Sequence, residues 1–493
     1  MLYISTRASA PQAVPAAEAI LRGLAPDGGL YLPQSIPMLS SADFAALASL
    51  PYADRAASIL GRFLDDYDPA ALLSDCRAAY APDRFPGGAA PVRSLSNGVH
   101  MLELWHGPTC AFKDMALQIM PRLLSRALGM RGERRLAHIL VATSGDTGKA
   151  ALEGYRDVEG VRITVFYPVD GVSAMQKRQM QTTGGQNVNV VAVRGNFDDA
   201  QNGVKAIFAD RRLAEEADAR GMFFSSANSI NWGRLAPQIV YYISAYLDLV
   251  AAGRLAMGEK VNIAVPTGNF GNIFAAYLAR QMGLPVARLI CASNRNDVLT
   301  QFIRTGEYDR RRTFFKTISP SMDILISSNL ERLLYRLSGP ETTAALMASL
   351  AEDGLYRAPQ SLMEPLSALF AGETLTEEET KRVIGDCRRR EGALIDPHTA
   401  VGLGAVEKYR ARTGDQTPVI LASTASPYKF APAVAESVGL APQDDAFALL
   451  DALSAATGVE VPAPLAATKS LPVRFTRVVD PGDMPAVALE AEG

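Results

Sequence analysis

Six apolar runs recur along the middle of the chain, over residues 138–145, 162–169, 189–195, 262–268, 287–293 and 418–424. Five of them close on Gly, Ser or Thr. They lack the in–out alternation of a half-exposed strand, so both faces must be covered, as in a parallel sheet. Helical patterns lie between them: residues 197–221, a longer apolar-striped stretch at 232–253, and residues 272–283, closed by Gly283. Repeated strand, loop and helix predict open α/β sheets with helices on both faces. In such sheets a ligand sits at the carboxyl ends of the strands.

The flanks read differently. Residues 1–95 are helical in pattern, rich in Ala and Pro, and broken by the turn signal Ala25-Pro-Asp-Gly-Gly29. They are expected to form a separate N-terminal unit, with residues 96–440 as a two-lobed catalytic region. Residues 441–493 are Ala/Pro-rich with few periodic runs, and are expected to be a partly ordered C-terminal extension packed on the main body.

Composition narrows the function. The 493 residues carry a net charge of only -3, which gives no reason to expect nucleic acid or an anionic membrane as partner. The most apolar stretch, Tyr241 to Ala252, is too short to span a bilayer and contains Asp248. The first residues lack the basic-then-apolar layout of a signal peptide. Cys76, Cys110, Cys291 and Cys387 show no paired spacing and predict free thiols in a reducing, cytoplasmic setting. The four histidines form no metal-binding pattern, so no metal site is expected.

Several segments at strand ends are candidates for chemistry. Gly268-Asn-Phe-Gly-Asn272 follows a strand and opens a helix. Its glycines let backbone N–H groups approach an anion, and the helix end adds partial positive charge. A plain strand-to-helix turn has the same appearance. Thr143-Ser144-Gly145-Asp146-Thr147-Gly148 has the same layout with hydroxyls, suiting a carboxylate or simply a well-capped helix start. Lys113 follows small and apolar residues, and a lysine in an apolar pocket can be neutral and attack an aldehyde. Most lysines are merely solvated. Asn228, Ser229 and Arg234 sit where a long helix begins, and a guanidinium fork matches phosphate oxygens. A capping segment with a surface arginine fits equally well. The run at 418–427 is a buried strand ending in hydroxyls.

Taken together, these segments resemble the threonine synthases of the long bacterial and fungal kind, within the tryptophan-synthase-β-like, fold type II enzymes of pyridoxal 5'-phosphate (PLP). The similarity also includes Tyr3-Ile-Ser-Thr-Arg7, Gly23 to Pro33, Trp105 to Asp114 and Asp396-Pro-His-Thr-Ala400. It implies two open α/β lobes around a cofactor cleft, a mostly helical N-terminal domain, and a lyase that makes threonine and phosphate from O-phosphohomoserine and water. By the same resemblance Lys113 would bind PLP covalently, Gly268, Asn269, Phe270, Gly271 and Asn272 would hold its phosphate, and Thr424 its ring nitrogen. Thr143, Ser144, Asp146 and Thr147 would hold the substrate carboxylate and the 3'-oxygen side of PLP, and Asn228, Ser229 and Arg234 the substrate phosphate. No obligate protein partner is implied. This chain departs from the pattern at Asp146, where the wider fold often has Asn, and at Ser426, where the family usually has His. The same lysine and phosphate cradle would also serve a dehydratase or phospholyase that stops at a 2-oxo acid. A PLP binder without turnover, or a scaffold with structural glycine turns, stands outside the enzymes.

Overall fold

The six apolar runs become strands of two separate sheets in a computed structural model of the chain, which describes residues 1–9, 12–143, 145–169 and 172–490. The larger sheet has the order Phe370–Thr374, Val286–Ser293, Val261–Pro266, Val419–Ser423, Val99–Glu103, Val92–Ser94. The smaller has the order Val478–Val479, Val188–Val193, Val161–Pro168, Leu136–Ala142, Met222–Ser225. Every pair is parallel except the edge pair Val92–Ser94 with Val99–Glu103. The continuous apolar runs are explained by burial on both faces: every residue of Val188–Val193, Val261–Pro266 and Val419–Ser423 is buried.

Helix boundaries differ from the sequence pattern where single residues interrupt it. The stretch 197–221 splits into Phe197–Ala209 and Arg211–Ala219, because the Asp210 carboxylate accepts the N–H groups of Arg212 and Leu213 and starts a new helix. The stretch from 232 splits into Trp232–Leu235 and Pro237–Ala251 at Pro237, which has no N–H to continue the ladder. Pro237–Ala251 buries twelve of its fifteen residues, as expected of a helix enclosed on all sides.

The N-terminal unit contains more than helices. Val14–Pro15, Leu2–Ser5 and Tyr31–Pro33 form an antiparallel sheet beside Ala16–Arg22, Ser41–Ala48, Tyr52–Gly61 and Pro69–Ala79. Buried Arg332 ties this unit to the main body by donating to the carbonyls of Tyr31 and Ile230. The strand Val92–Ser94 lies before the expected boundary at 95, yet pairs with Val99–Glu103 in the larger sheet. The C-terminal segment supplies Val478–Val479 to the edge of the smaller sheet and three short helices, Ala446–Thr457, Ala463–Ala466 and Met484–Leu489. Among the described residues no helix is long and apolar enough to cross a membrane.

Candidate active site

All the candidate segments leave the carboxyl ends of strands, from both sheets. The loop after Val99–Glu103 and the loop after Val419–Ser423 are laced together. Phe112 N–H donates to Thr424 O at 2.8 Å, Ser426 N–H donates to Cys110 O at 3.0 Å, and Ala111 bridges Ala425. This lacing puts Lys113 beside Thr424. The Lys113 side chain is 11% exposed; its Nζ lies 3.4 Å from Ser321 Oγ and 4.0 Å from Asp146 Oδ2. Burial, helped by the charges of Lys429 and Arg234 and opposed by Asp146, pulls its amine down to about 8. A neutral, nucleophilic amine is thus accessible near neutral pH.

Asp146 opens the helix Asp146–Tyr155 directly after the smaller sheet's Leu136–Ala142. Its Oδ1 takes Lys429 Nζ at 2.8 Å and Gln176 Nε2 at 2.9 Å. Burial works against its ionised form, but Lys429, Lys113 and the two hydrogen bonds hold the carboxyl well below the usual range. Thr143 Oγ1 accepts the N–H groups of Gly145 at 3.0 Å and Gly148 at 2.9 Å, so it closes the loop itself. Gly145 has φ 139°, and a Cβ there would meet the Gln176 amide at 2.3 Å; only glycine fits. Thr147 is partly buried, and Ser144 lies outside the described residues. The neighbouring Asp114 carboxyl is pushed up to about 6 by burial, although Thr109 N–H and Oγ1 donate to it at 2.8 and 2.7 Å.

Gly268 to Asn272 form the turn between Val261–Pro266 and the helix Gly271–Gln281. Asn329 holds the turn from outside: its N–H and Nδ2 donate to Asn269 O at 3.0 and 2.9 Å, while Ser327 Oγ donates to Gly268 O at 2.7 Å. Phe270 adopts left-handed angles, φ 63°, and its ring stacks on Phe370. The carbonyls of the turn are therefore engaged, whereas no described protein acceptor takes the N–H groups of residues 268 to 272. Five free amides at a helix N-terminus fit a phosphate dianion. The Asn272 Oδ1 accepts the hydroxyls of Tyr241 and Tyr242, and its buried Nδ2 has no partner among the described residues.

Arg234 is 4% exposed, and among the described residues no carboxylate pairs with it. One nitrogen donates to Ala227 O, and among the described residues Nε has no partner. Burial pulls the guanidinium down to about 10, so it stays charged at neutral pH. Its field reaches Lys113. Asn228 is exposed and Ser229 partly buried on the loop just before it, and Asn231 fixes that loop by donating to Ile20 O at 2.8 Å. A buried cation with no carboxylate partner among the described residues suits an anionic ligand, because leaving it unpaired is costly.

The sequence reading missed Lys429, Gln176 and Ser321. Lys429 sits between Tyr428 and Phe430, the same apolar flank that marked Lys113. His398, in the motif Asp396-Pro-His-Thr-Ala400, also lies at the cleft. Its Nδ1 is bonded to Asp396 at 2.6 Å, and its Nε2 accepts the N–H of Ser321 at 3.1 Å, fixing the residue that faces Lys113.

Comparison with known proteins decides the family. Residues 2–80 match the model for the threonine synthase N terminus, 90–424 that for pyridoxal-phosphate dependent enzymes, and 399–487 that for the threonine synthase C-terminal region. A threonine synthase of Pseudomonas aeruginosa is 42% identical over 449 residues, which are 90% of this chain and 92% of that protein. The chain belongs to the threonine synthase family. The structure of a PLP-bound threonine synthase from Brucella melitensis superposes with a TM-score of 0.88 at 36% identity, covering 99% of both chains. Threonine synthase from yeast gives 0.88 at 33% identity over 99% of this chain and 98% of that one. The two α/β lobes with an N-terminal domain are accordingly the fold type II arrangement of threonine synthases, and the enzyme is a PLP-dependent lyase acting on a small molecule.

Proposed function

We propose that the cleft carries out the threonine synthase reaction on O-phosphohomoserine, with Lys113 as the covalent PLP lysine. In this reading the free amides of Gly268, Asn269, Phe270, Gly271 and Asn272 take the cofactor phosphate, and Thr424 its ring nitrogen. Thr143, Ser144, Asp146 and Thr147 receive the substrate carboxylate and the 3'-oxygen side, and Asn228, Ser229 and Arg234 the substrate phosphate. When bound, PLP supplies an electron sink for charge developing on the substrate. Lys113 Nζ, kept near neutrality by burial, takes the proton from the substrate Cα and returns protons later in the cycle. Arg234 holds the γ-phosphate as it leaves, and water completes the product at Cβ. The four unpaired, buried thiols fit a reducing compartment, which we take to be the cytoplasm.

The observation that carries this reading is Arg234. A cofactor phosphate already has neutral backbone donors at the 268–272 turn. Among the described residues no carboxylate pairs with the separate buried guanidinium, so a second dianion suits it as a partner. The test is incubation with O-phosphohomoserine and PLP, with phosphate and threonine both assayed. Equal amounts of the two are expected. Phosphate accompanied by 2-oxobutyrate and no threonine would make the enzyme a phospholyase.

A further inference from the structure

An ion pair in the cleft joins Lys429 to Asp146. Lys429 has a fully buried side chain, and its Nζ donates to Asp146 Oδ1 at 2.8 Å and to Thr109 O at 2.8 Å. Lys429 stands on the 3₁₀ turn Pro427–Phe430, which follows a strand of the larger sheet; Asp146 starts the helix that follows a strand of the smaller sheet. The ion pair therefore spans the two lobes. The other carboxylate oxygen, Oδ2, faces Lys113 Nζ at 4.0 Å. One carboxylate thus lies between two lysines, one from each side.

We infer that Lys429 is a positioning residue for Lys113: it fixes Asp146 as a carboxylate across the lobe boundary, so that the two lysines share one counter-charge. The inference rests on Lys113 being the PLP lysine. Its logic is charge balance. A buried Asp146 alone would tend to take a proton, and a neutral side chain there would leave Lys113 without a counter-ion. With Lys429 in place the carboxylate stays ionised, yet half its charge is already answered. Lys113 is then held between full stabilisation of its ammonium and none, which suits a group that must both accept and release a proton. The other charges nearby are committed elsewhere. Asp114 is closed by Thr109, and Lys149 is paired with Glu153 at 3.1 Å. Arg234 adds a distant positive charge, and Asp396 is turned toward His398. Gln176 supports the same Asp146 oxygen and is neutral.

The experiment is a pH titration of the visible absorption of the PLP-loaded enzyme, which reads protonation at the Lys113 nitrogen without turnover. Borohydride reduction and peptide mapping of the wild type come first. A label on a lysine other than Lys113 would remove the reading on which the inference rests, whatever the titrations show. With the label on Lys113, Asp146→Asn should move the midpoint to lower pH by about 1 unit or more, the scale for losing an opposite charge at this range. Lys429→Met, which lets the buried Asp146 take a proton, should also move it to lower pH, and Lys429→Arg, which keeps the charge, should stay near the wild type. The double variant Asp146→Asn/Lys429→Met should move no further than Asp146→Asn alone, because no carboxylate is left for Lys429 to hold. A contact that is only structural predicts lower melting temperatures with an unmoved midpoint. An unmoved midpoint in PLP-loaded Asp146→Asn overturns the proposal, and that variant decides it even if Lys429→Met does not fold.

Discussion

Replacing Arg234 by Ala separates a substrate-binding arginine from a structural one. The side chain is 4% exposed, donates to Ala227 O, and has no carboxylate partner among the described residues. With its guanidinium pulled down only to about 10, it is charged throughout the working pH range. Two consequences for stability oppose each other. Truncation leaves Ala227 O without its donor and opens space, at a cost of about 1–3 kcal/mol. It also removes an unpaired buried cation, which is itself unfavourable. The melting temperature should therefore move little. Catalysis has no such compensation. Losing charge-assisted bonds to a leaving dianion in a closed site should cost roughly 2–4 kcal/mol in kcat/KM, a fall of roughly 30- to 1000-fold. Arg234→Lys keeps the charge without the fork and should fall between. The assay is steady-state kinetics with O-phosphohomoserine beside the visible PLP spectrum and a thermal melt. PLP loading should be unchanged, because the cradle proposed for the cofactor phosphate, Gly268 to Asn272, is untouched. Full PLP loading with unaltered kcat/KM would refute the assignment and leave the leaving-group site open.

Two further outcomes follow from the geometry. In Gly268→Ala the new Cβ would lie 2.5 Å from the Ser321 carbonyl oxygen, so backbone must shift at about 1–3 kcal/mol; because Ser321 also faces Lys113 at 3.4 Å, PLP affinity measured by spectral titration should drop with stability, and an unchanged affinity would detach Ser321 from the site. Lys113 is held at about 8 in the fold against 10.5 unperturbed, so the folded state binds fewer protons between those values and stability rises with pH across that window. Below pH 8 the full destabilisation is present. In PLP-free protein Lys113→Met should therefore be more stable than the wild type by about 3 kcal/mol near pH 7, with the gap closing toward pH 10.5. Denaturant curves showing a constant gap would contradict the buried ammonium.

The core strands and the principal site loops were legible because their signals are local. A continuous apolar run such as Asn262 to Val265 must be covered on both faces, and a glycine-rich turn after it must leave amides free wherever it sits. The burial of the Lys113 side chain was legible from its apolar flank. Other features carry no local mark. Val92–Ser94 and Val478–Val479 are too short for any periodicity, and become strands only because a sheet edge offers them partners. Asp210 and Pro237 redirect helices whose apolar pattern runs on through them. Lys429, read alone, is one more lysine; its meaning depends on an aspartate on the opposite lobe. In the sequence Arg234 reads equally as a surface residue; only packing buries it, with no carboxylate partner among the described residues. Periodicity and turn chemistry are properties of neighbouring residues, so the chain states them directly. The charge state of a side chain depends on what folding places within a few ångströms and how much water it removes, and only the assembled lobes set both.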